Sequence, residues 1–470
     1  MLFNSVEYLV FLFIAVSVFL SLPRAARKIF IIVASIVFYS AWSIKYLFLL
    51  GVVVVFNYIY AGFLMPRWRN RFTLFLGISA DCLPLFIYKY SFFAVHNISY
   101  FTMWFGVHMS VPRLALPLGI SFYTFEAISF VIECYQGRIV RPGFMDYCVY
   151  MLFWPRLIAG PIVRPHEILP QIQGVWAVNW DARAQGLRRV ASGLFKKTVL
   201  ADGMGAWITP AFNMGFSHYS ALDVWTLAVG FGFQIYFDFS AYSDIAIGSA
   251  LLLGIRLPEN FNYPYLAVSV SEFWQRWHMT LTRWVRDYVF FPLSIRASRL
   301  QLYVSVALTM LIIGIWHGAA WTFVLWGLYH AVIMIVQRVF TAYFPKQKNR
   351  NWVRRIVDRK PIAWALTFGS VSLGWVLFRA KSVSVAASMF VRVFEPGQYM
   401  RLGMNRNIYP LVASYLLLFW LSVVAKRYVG SSKWREMAFW QYLAGAGYAV
   451  IMLVALAFLG KPVGFIYFQF

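Results

Sequence analysis

"LIIGIWHGAAWTFVLWGLYH" (residues 311–330) places two histidines, His317 and His330, inside a run that carries no formal charge from Leu300 to Gln337. As one helix, those residues would extend about 57 Å, against a hydrocarbon layer of about 30 Å. The run must turn, and the glycines on either side of His317, Gly314 and Gly318, make that the natural place. The expectation is a helix that ends near His317, followed at once by a second helix carrying His330 well down its length.

The rest of the chain repeats the pattern. Of 470 residues, 61% are hydrophobic and 20% aromatic, and only 13% are charged. A soluble chain of this size would need far more polar surface. Apolar windows recur at 8–23, 29–44, 46–66, 72–80 with 82–88, 114–125 extended to about 132, 203–222, 224–237, 236–257, 361–378, 407–425 and 437–460. They are continuous rather than alternating, which argues against a β-barrel. The reading is an all-α polytopic membrane protein of about eleven transmembrane helices, one integral membrane domain over residues 1–470.

The net charge of +25 invites a nucleic-acid reading, but its distribution opposes it. "PRAARK" (23–28), "PRWRNR" (66–71) and "GRIVR" (137–141) follow the first, third and fifth windows. Alternate basic connections are what the positive-inside rule produces with the N-terminus outside. The basic stretches 346–360 and 426–435 then lie inside, and "GFIYFQF" (464–470) lies outside as an exposed aromatic end. His317 falls in the outer half of the membrane. The neutral run from Ser91 to Pro112 faces outward, partly as a re-entrant segment. No window has the flanks of a cleavable signal. Cys82, Cys134 and Cys148 share no close spacing, so neither a disulfide framework nor a metal site is indicated.

Two segments break the pattern. "FWPRLIAGPIVRP" (153–165) combines prolines with Arg156 and Arg164, so it dips into or lies along the interface. Segment 271–298 interleaves tryptophans with arginines, including Arg276, as an interfacial amphipathic helix would.

The polar residues at membrane depth are the functional candidates. His317 either packs against a neighbouring helix or works as a proton-exchanging group beside a substrate, for which the adjoining small residues leave room. Trp316 adjoins it. His330 is structural or lines a tunnel. His278 shares its segment with Glu272, Arg276 and Asp287, and is either part of an ion-paired interfacial helix or a lining residue that orients a donor. "YFDFSAYSDIAIG" (236–248) holds Asp238, Ser243 and Asp244, and carboxylates there face a cavity, a partner or an ion path. That pair keeps a polytopic exporter open as an alternative. Arg156 and Arg164 either hold an anionic group or snorkel. There is no phosphate-binding loop, dinucleotide fingerprint, HExxH or GxSxG.

At these residues the sequence resembles the membrane-bound O-acyltransferase family, in its bacterial alginate and exopolysaccharide O-acetyltransferase branch. The resemblance lies in "LPLGISFYTFEAISFVIECYQG" (116–137), "FWPRLIAGPIVRP" (153–165), "IYFDFSAYSDIAIGSALLLGIRLPENFNYPY" (235–265), "SEFWQRWHMTLTRWVRDYVFFPL" (271–293), "GIWHGAAWTFVLWGLYHA" (314–331) and "IYFQF" (466–470). It implies a ring of helices, with re-entrant and interfacial segments, around a tunnel. His317 matches the family's invariant histidine and His278 its second prominent one. Glu126 and Glu133 depart from the expected pattern and bear on donor or partner preference.

The resemblance further implies acetyl-CoA or a derived acetyl donor as substrate with no bound cofactor. It implies an exopolysaccharide acceptor, a periplasmic acetyltransferase partner, and a multi-pass place in the bacterial inner membrane. His317 would act as general base, or carry the acyl group briefly, while His278, a tryptophan or a backbone donor polarises the carbonyl. Within the family the alternative is D-alanyl transfer to teichoic acid from a carrier protein.

Overall fold

Helices start where the sequence supplies an acceptor for the first free N–H groups. Ser5 accepts from the Tyr8 amide at 3.2 Å and Asn70 from that of Thr73 at 2.9 Å. Ser298 and Gln301 cap each other reciprocally, at 3.3 and 2.7 Å. The computed structural model describes all residues except 175–178, 215–218, 344–358, 432–437, 461–463 and 467–470, and all side chains but those of 64, 66, 426–431 and 438–441 besides. Most of the basic stretch 346–360, residues 432–435 of the other, and the last four residues of "GFIYFQF" therefore lie outside the described residues.

No strand occurs among the described residues. In chain order the main helices are α1 (Val6–Ser21), α2 (Arg24–Ser40), α3 (Ile44–Ile59), α4 (Arg71–Leu85), α5 (Ser91–Thr102), α6 (Ile120–Gln136), α7 (Phe144–Leu152), α8 (Pro165–Gln173) and α9 (Trp180–Phe195). There follow α10 (Asp202–Asn213), α11 (Ala221–Leu252), α12 (Val270–Arg276), α13 (Met279–Val285), α14 (Arg299–His317), α15 (Trp321–Tyr343), α16 (Lys360–Arg379), α17 (Val383–Val393), α18 (Ile408–Ser431) and α19 (Ala438–Ala457). Six described helices are long and apolar enough to cross a membrane, beginning at Ile44, Arg71, Arg299, Trp321, Lys360 and Ile408. The count of about eleven also takes in α2 and α6, which at 17 residues each fall just short of that length. The chain is an all-α, polytopic protein.

Packing divides it into two compact units. The first takes Met1–Leu194, Ala241–Glu259 and Leu459–Gly464; the second takes Phe195–Ser240, Asn260–Phe458 and the residues from Phe465 on. α11 leaves the second and enters the first between Ser240 and Ala241.

In the first unit α6 is the core. Every side chain from Ile120 to Glu133 is buried, so the polar ones among them need partners inside the protein. Its two carboxylates are matched: Glu126 pairs with Arg156, and Glu133 grips His166 at its Nδ1 (2.6 Å) and its amide (3.2 Å). The segment from Phe153 to Val163 is buried within the unit, and Glu126 meets the charge that would otherwise bar Arg156 from the interior.

Two expectations change. The run from Ser91 is no separate re-entrant piece up to Phe105: the helical stretch Arg71–Phe105 is continuous. Windows 224–237 and 236–257 are likewise one helix, α11, of 32 residues.

Candidate functional site

In the second unit α14 and α15 form a hairpin that turns after His317, as the glycines predicted. What brings the two helices together is also glycine. A Cβ on Gly327 would lie 2.5 Å from the Met310 carbonyl oxygen, and one on Gly314 would collide with the carbonyl of Phe323. Such backbone-to-backbone approach needs residues without side chains. It sets the register that places His317, at the end of α14, against Trp326 on α15.

His317 is buried in an aromatic enclosure. Its ring centroid lies 4.8 Å from that of Trp316, 5.1 Å from Trp326 and 5.1 Å from Phe378 of α16. Trp326 also touches His330 at 4.8 Å, and Trp274 of α12 meets His330 at 5.2 Å. Room for the His330 ring comes from Gly374, where a Cβ would lie 2.8 Å from Nε2. Both nitrogens of His330 and the indole N–H groups of Trp274, Trp326 and Trp375 are buried with no hydrogen-bond partner among the described residues. Buried polar atoms are ordinarily satisfied, and a cluster of exceptions marks a place that takes a polar ligand or water.

His278 joins the same group through Trp316, at 6.0 Å. It does not lie within one amphipathic helix, as segment 271–298 had promised. The chain breaks there, because His278 adopts a left-handed conformation (φ 41°) between α12 and α13. That conformation is costly for a residue with a side chain, and the loop before α12 holds it in place. The Met279 amide donates to the Asn260 carbonyl at 2.9 Å, and the Asn262 amide to the carbonyl of Arg276 at 2.9 Å.

Asn260 also fixes the tautomer. Its Oδ1 accepts the Thr280 amide at 3.3 Å and the Thr280 hydroxyl at 2.9 Å. A backbone N–H only donates, so this atom is the amide oxygen. Nδ1 of His278, 3.1 Å away, must then be the donor. Nε2 therefore carries the lone pair. Burial holds the His278 pKa well below its ordinary 6.5, at about 3, so the ring stays neutral. A neutral ring with its lone pair on Nε2 cannot donate from that atom to a carbonyl oxygen. Among the buried indoles around the histidines, the N–H groups of Trp274, Trp326 and Trp375 are hydrogen-bond donors, and the Trp326 ring is one of those packed on His317.

Asp238 lies in the second unit with these histidines, and the next residue, Phe239, touches the His278 ring at 4.5 Å. Arg276 stands apart from the enclosure, held by Glu272 at 2.7 Å and by the Asn262 carbonyl at 3.2 Å. Arg156, Ser243 and Asp244 belong to the first unit. Arg156 is matched by Glu126, which leaves its charge committed, Ser243 is buried, and Asp244 pairs with Arg189.

Sequence reasoning missed Trp326, Phe378, Phe239 and Asn260. Trp326 stands four residues before His330 on one helical face, a spacing that could have flagged it. No spacing points from Asn260 to His278 across the loop.

The sequence profile of the membrane-bound O-acyltransferase family matches residues 12–372. The probable alginate O-acetylase of Pseudomonas aeruginosa is 36% identical over 427 residues, 87% of this chain and 79% of that protein. The peptidoglycan O-acetyltransferase of Helicobacter pylori is 36% identical over 390 residues, 76% of this chain and 72% of its own. A teichoic acid D-alanyltransferase of Bacillus subtilis is 28% identical over 335 residues, 68% of this chain and 82% of its own.

Proposed function

The chain belongs to the membrane-bound O-acyltransferase family, and on that premise we propose that it moves an acetyl group from a cytoplasmic thioester donor, acetyl-CoA or a species derived from it, toward hydroxyls of an exopolysaccharide such as alginate. The observation that carries the reading is the setting of His317: a histidine at the end of a glycine-packed hairpin, enclosed by Trp316, Trp326 and Phe378, with the Trp326 indole N–H buried and without an acceptor among the described residues.

The residues then divide the chemistry. A hydroxyl is a weak nucleophile, so His317 takes its proton as the oxygen attacks the acyl carbonyl. The Trp326 N–H donates to the oxyanion that forms. Collapse of that intermediate breaks the carbon–sulfur bond, forms the ester, and returns the proton from His317 to the departing thiolate. His278, neutral and held by Asn260, presents an acceptor that orients the donor or the acceptor hydroxyl. The protein works in the bacterial inner membrane with a periplasmic acetyltransferase partner that completes transfer to the polymer, and the whole chain acts as one catalytic domain. Greater identity to the two O-acetyltransferases than to the D-alanyltransferase favours acetyl over D-alanyl.

The test supplies membranes containing the protein with labelled acetyl-CoA in one arm and a labelled D-alanyl carrier protein in the other. Acetyl label in alkali-labile esters of the polymer or partner supports the proposal. Label from the D-alanyl arm alone overturns it.

A further inference from the structure

Asp238 is almost fully buried, and its two oxygens have different partners. Oδ1 faces the Lys197 ammonium at 2.8 Å, and Lys197 also meets Asp202 at 2.7 Å. Oδ2 accepts the backbone N–H of Ile466 at 2.8 Å, from a residue 228 positions later in the chain. Helices satisfy their own amides, whereas a buried segment outside a long helix must find acceptors elsewhere. Burying a carboxylate for that purpose is expensive unless a cation balances it, and Lys197 does so.

Phe465 and Ile466 are themselves buried, at 2% and 6% exposure, so the expected exposed aromatic end is an interior element as far as it is described. The Phe465 ring lies 5.4 Å from that of Phe239, whose own edge meets His278 at 4.5 Å. The carboxylate that holds the segment and the ring that relays its position are neighbours on α11.

Resting on the reading of His278 as part of the acyl-transfer site, we propose that Asp238, balanced by Lys197, is a positioning residue that docks residues 465–466 so that Phe465 braces Phe239 against the His278 ring. Asp238 has no contact with the reacting atoms in this account. It acts through the docked segment.

The test uses the full chain in membranes, with Cys82, Cys134 and Cys148 replaced by alanine and Ile466→Cys as a reporter for a membrane-permeant maleimide. The expected result is slow labelling with Asp238 present, labelling faster by about tenfold in Asp238→Ala, as loss of one buried hydrogen bond would give, and protection restored by Asp238→Asn, which keeps an acceptor oxygen. Equal labelling in all three overturns the docking. Should Asp238→Ala fail to accumulate, Phe465→Ala leaves the ion pair intact and must also speed labelling; no change there overturns it equally. Turnover separates the bracing from the docking. Phe465→Ala is expected to lower the acetyl-transfer rate about tenfold with the donor's KM little altered, and an unchanged rate overturns the bracing. Labelling requires no acyl transfer, so the docking stands or falls independently of the proposed activity.

Discussion

Asn260 accepts the Nδ1 proton of His278 across 3.1 Å while taking the amide and hydroxyl protons of Thr280 with the same oxygen. One side-chain oxygen thus decides which nitrogen of a buried imidazole bears the lone pair, and it pins the left-handed turn that carries the ring.

Replacing Asn260 with leucine removes that acceptor and frees the ring to rotate. The loss of a buried hydrogen bond of this kind is worth about 1–3 kcal/mol. Acetyl-transfer turnover is expected to fall on the order of 10- to 100-fold. Thr280→Val removes only the hydroxyl and leaves the amide bond, so its effect should be clearly smaller. Turnover measured for both at equal protein abundance checks the order; a larger loss in Thr280→Val contradicts it.

The glycine contact of α14 and α15 predicts a stability effect. In Gly327→Ala the new methyl would meet the Met310 carbonyl at 2.5 Å and Leu311 Cα at 3.2 Å. Overpacking of this sort costs about 1–3 kcal/mol. The thermal midpoint in detergent should drop and activity with it. Gly445→Ala, on α19 with open space around it, should leave the midpoint unchanged.

How much of this was legible in the chain itself differs from residue to residue. The break after His317 followed from length and flanking glycines, because a helix that outruns the bilayer must turn. The neighbours of His317 did not follow. Trp326 reaches it through a helix register that Gly314 and Gly327 set in three dimensions, and Phe378 arrives from a third helix. From sequence Arg156 is either an anion holder or a snorkelling residue, because composition shows a charge but not its partner, and Glu126 lies 30 residues earlier. Alternate basic connections assign the aromatic end a side of the membrane, but neither they nor its apolar character tell whether Phe465 and Ile466 are exposed or packed inside the protein, where they lie.

His278 also gives a pH dependence with a definite sign. Its folded pKa is near 3 and its ordinary value is 6.5, so the unfolded chain binds the proton first as pH falls. The stabilising contribution is fully present above pH 6.5 and is lost progressively as pH falls toward 3. His278→Phe should therefore lose less of its thermal midpoint than the parent between neutral pH and about pH 5. Comparing the two proteins cancels the titration of other groups, Asp202 among them. Identical acid slopes would contradict the assignment.

If the Trp326 indole N–H steadies the oxyanion, Trp326→Phe removes the donor and keeps an aromatic ring against His317 and His330. Loss of one such donor typically costs about 10²–10³ in kcat. The expected pattern is a fall of that size with the KM of the acetyl donor nearly constant. A changed KM with constant kcat would move Trp326 from the chemistry to donor binding.

The central claim is that His317 removes the proton from the acceptor hydroxyl. It is tested most directly with labelled acetyl donor in intact membranes, comparing the parent with His317→Gln and His317→Ala at equal folded abundance. Label should reach the polymer or the periplasmic partner in the parent and fall to background in both variants, with the donor still bound. Equal labelling in parent and variants would contradict it, and would place the base elsewhere in the enclosure that His317 shares with His278 and His330.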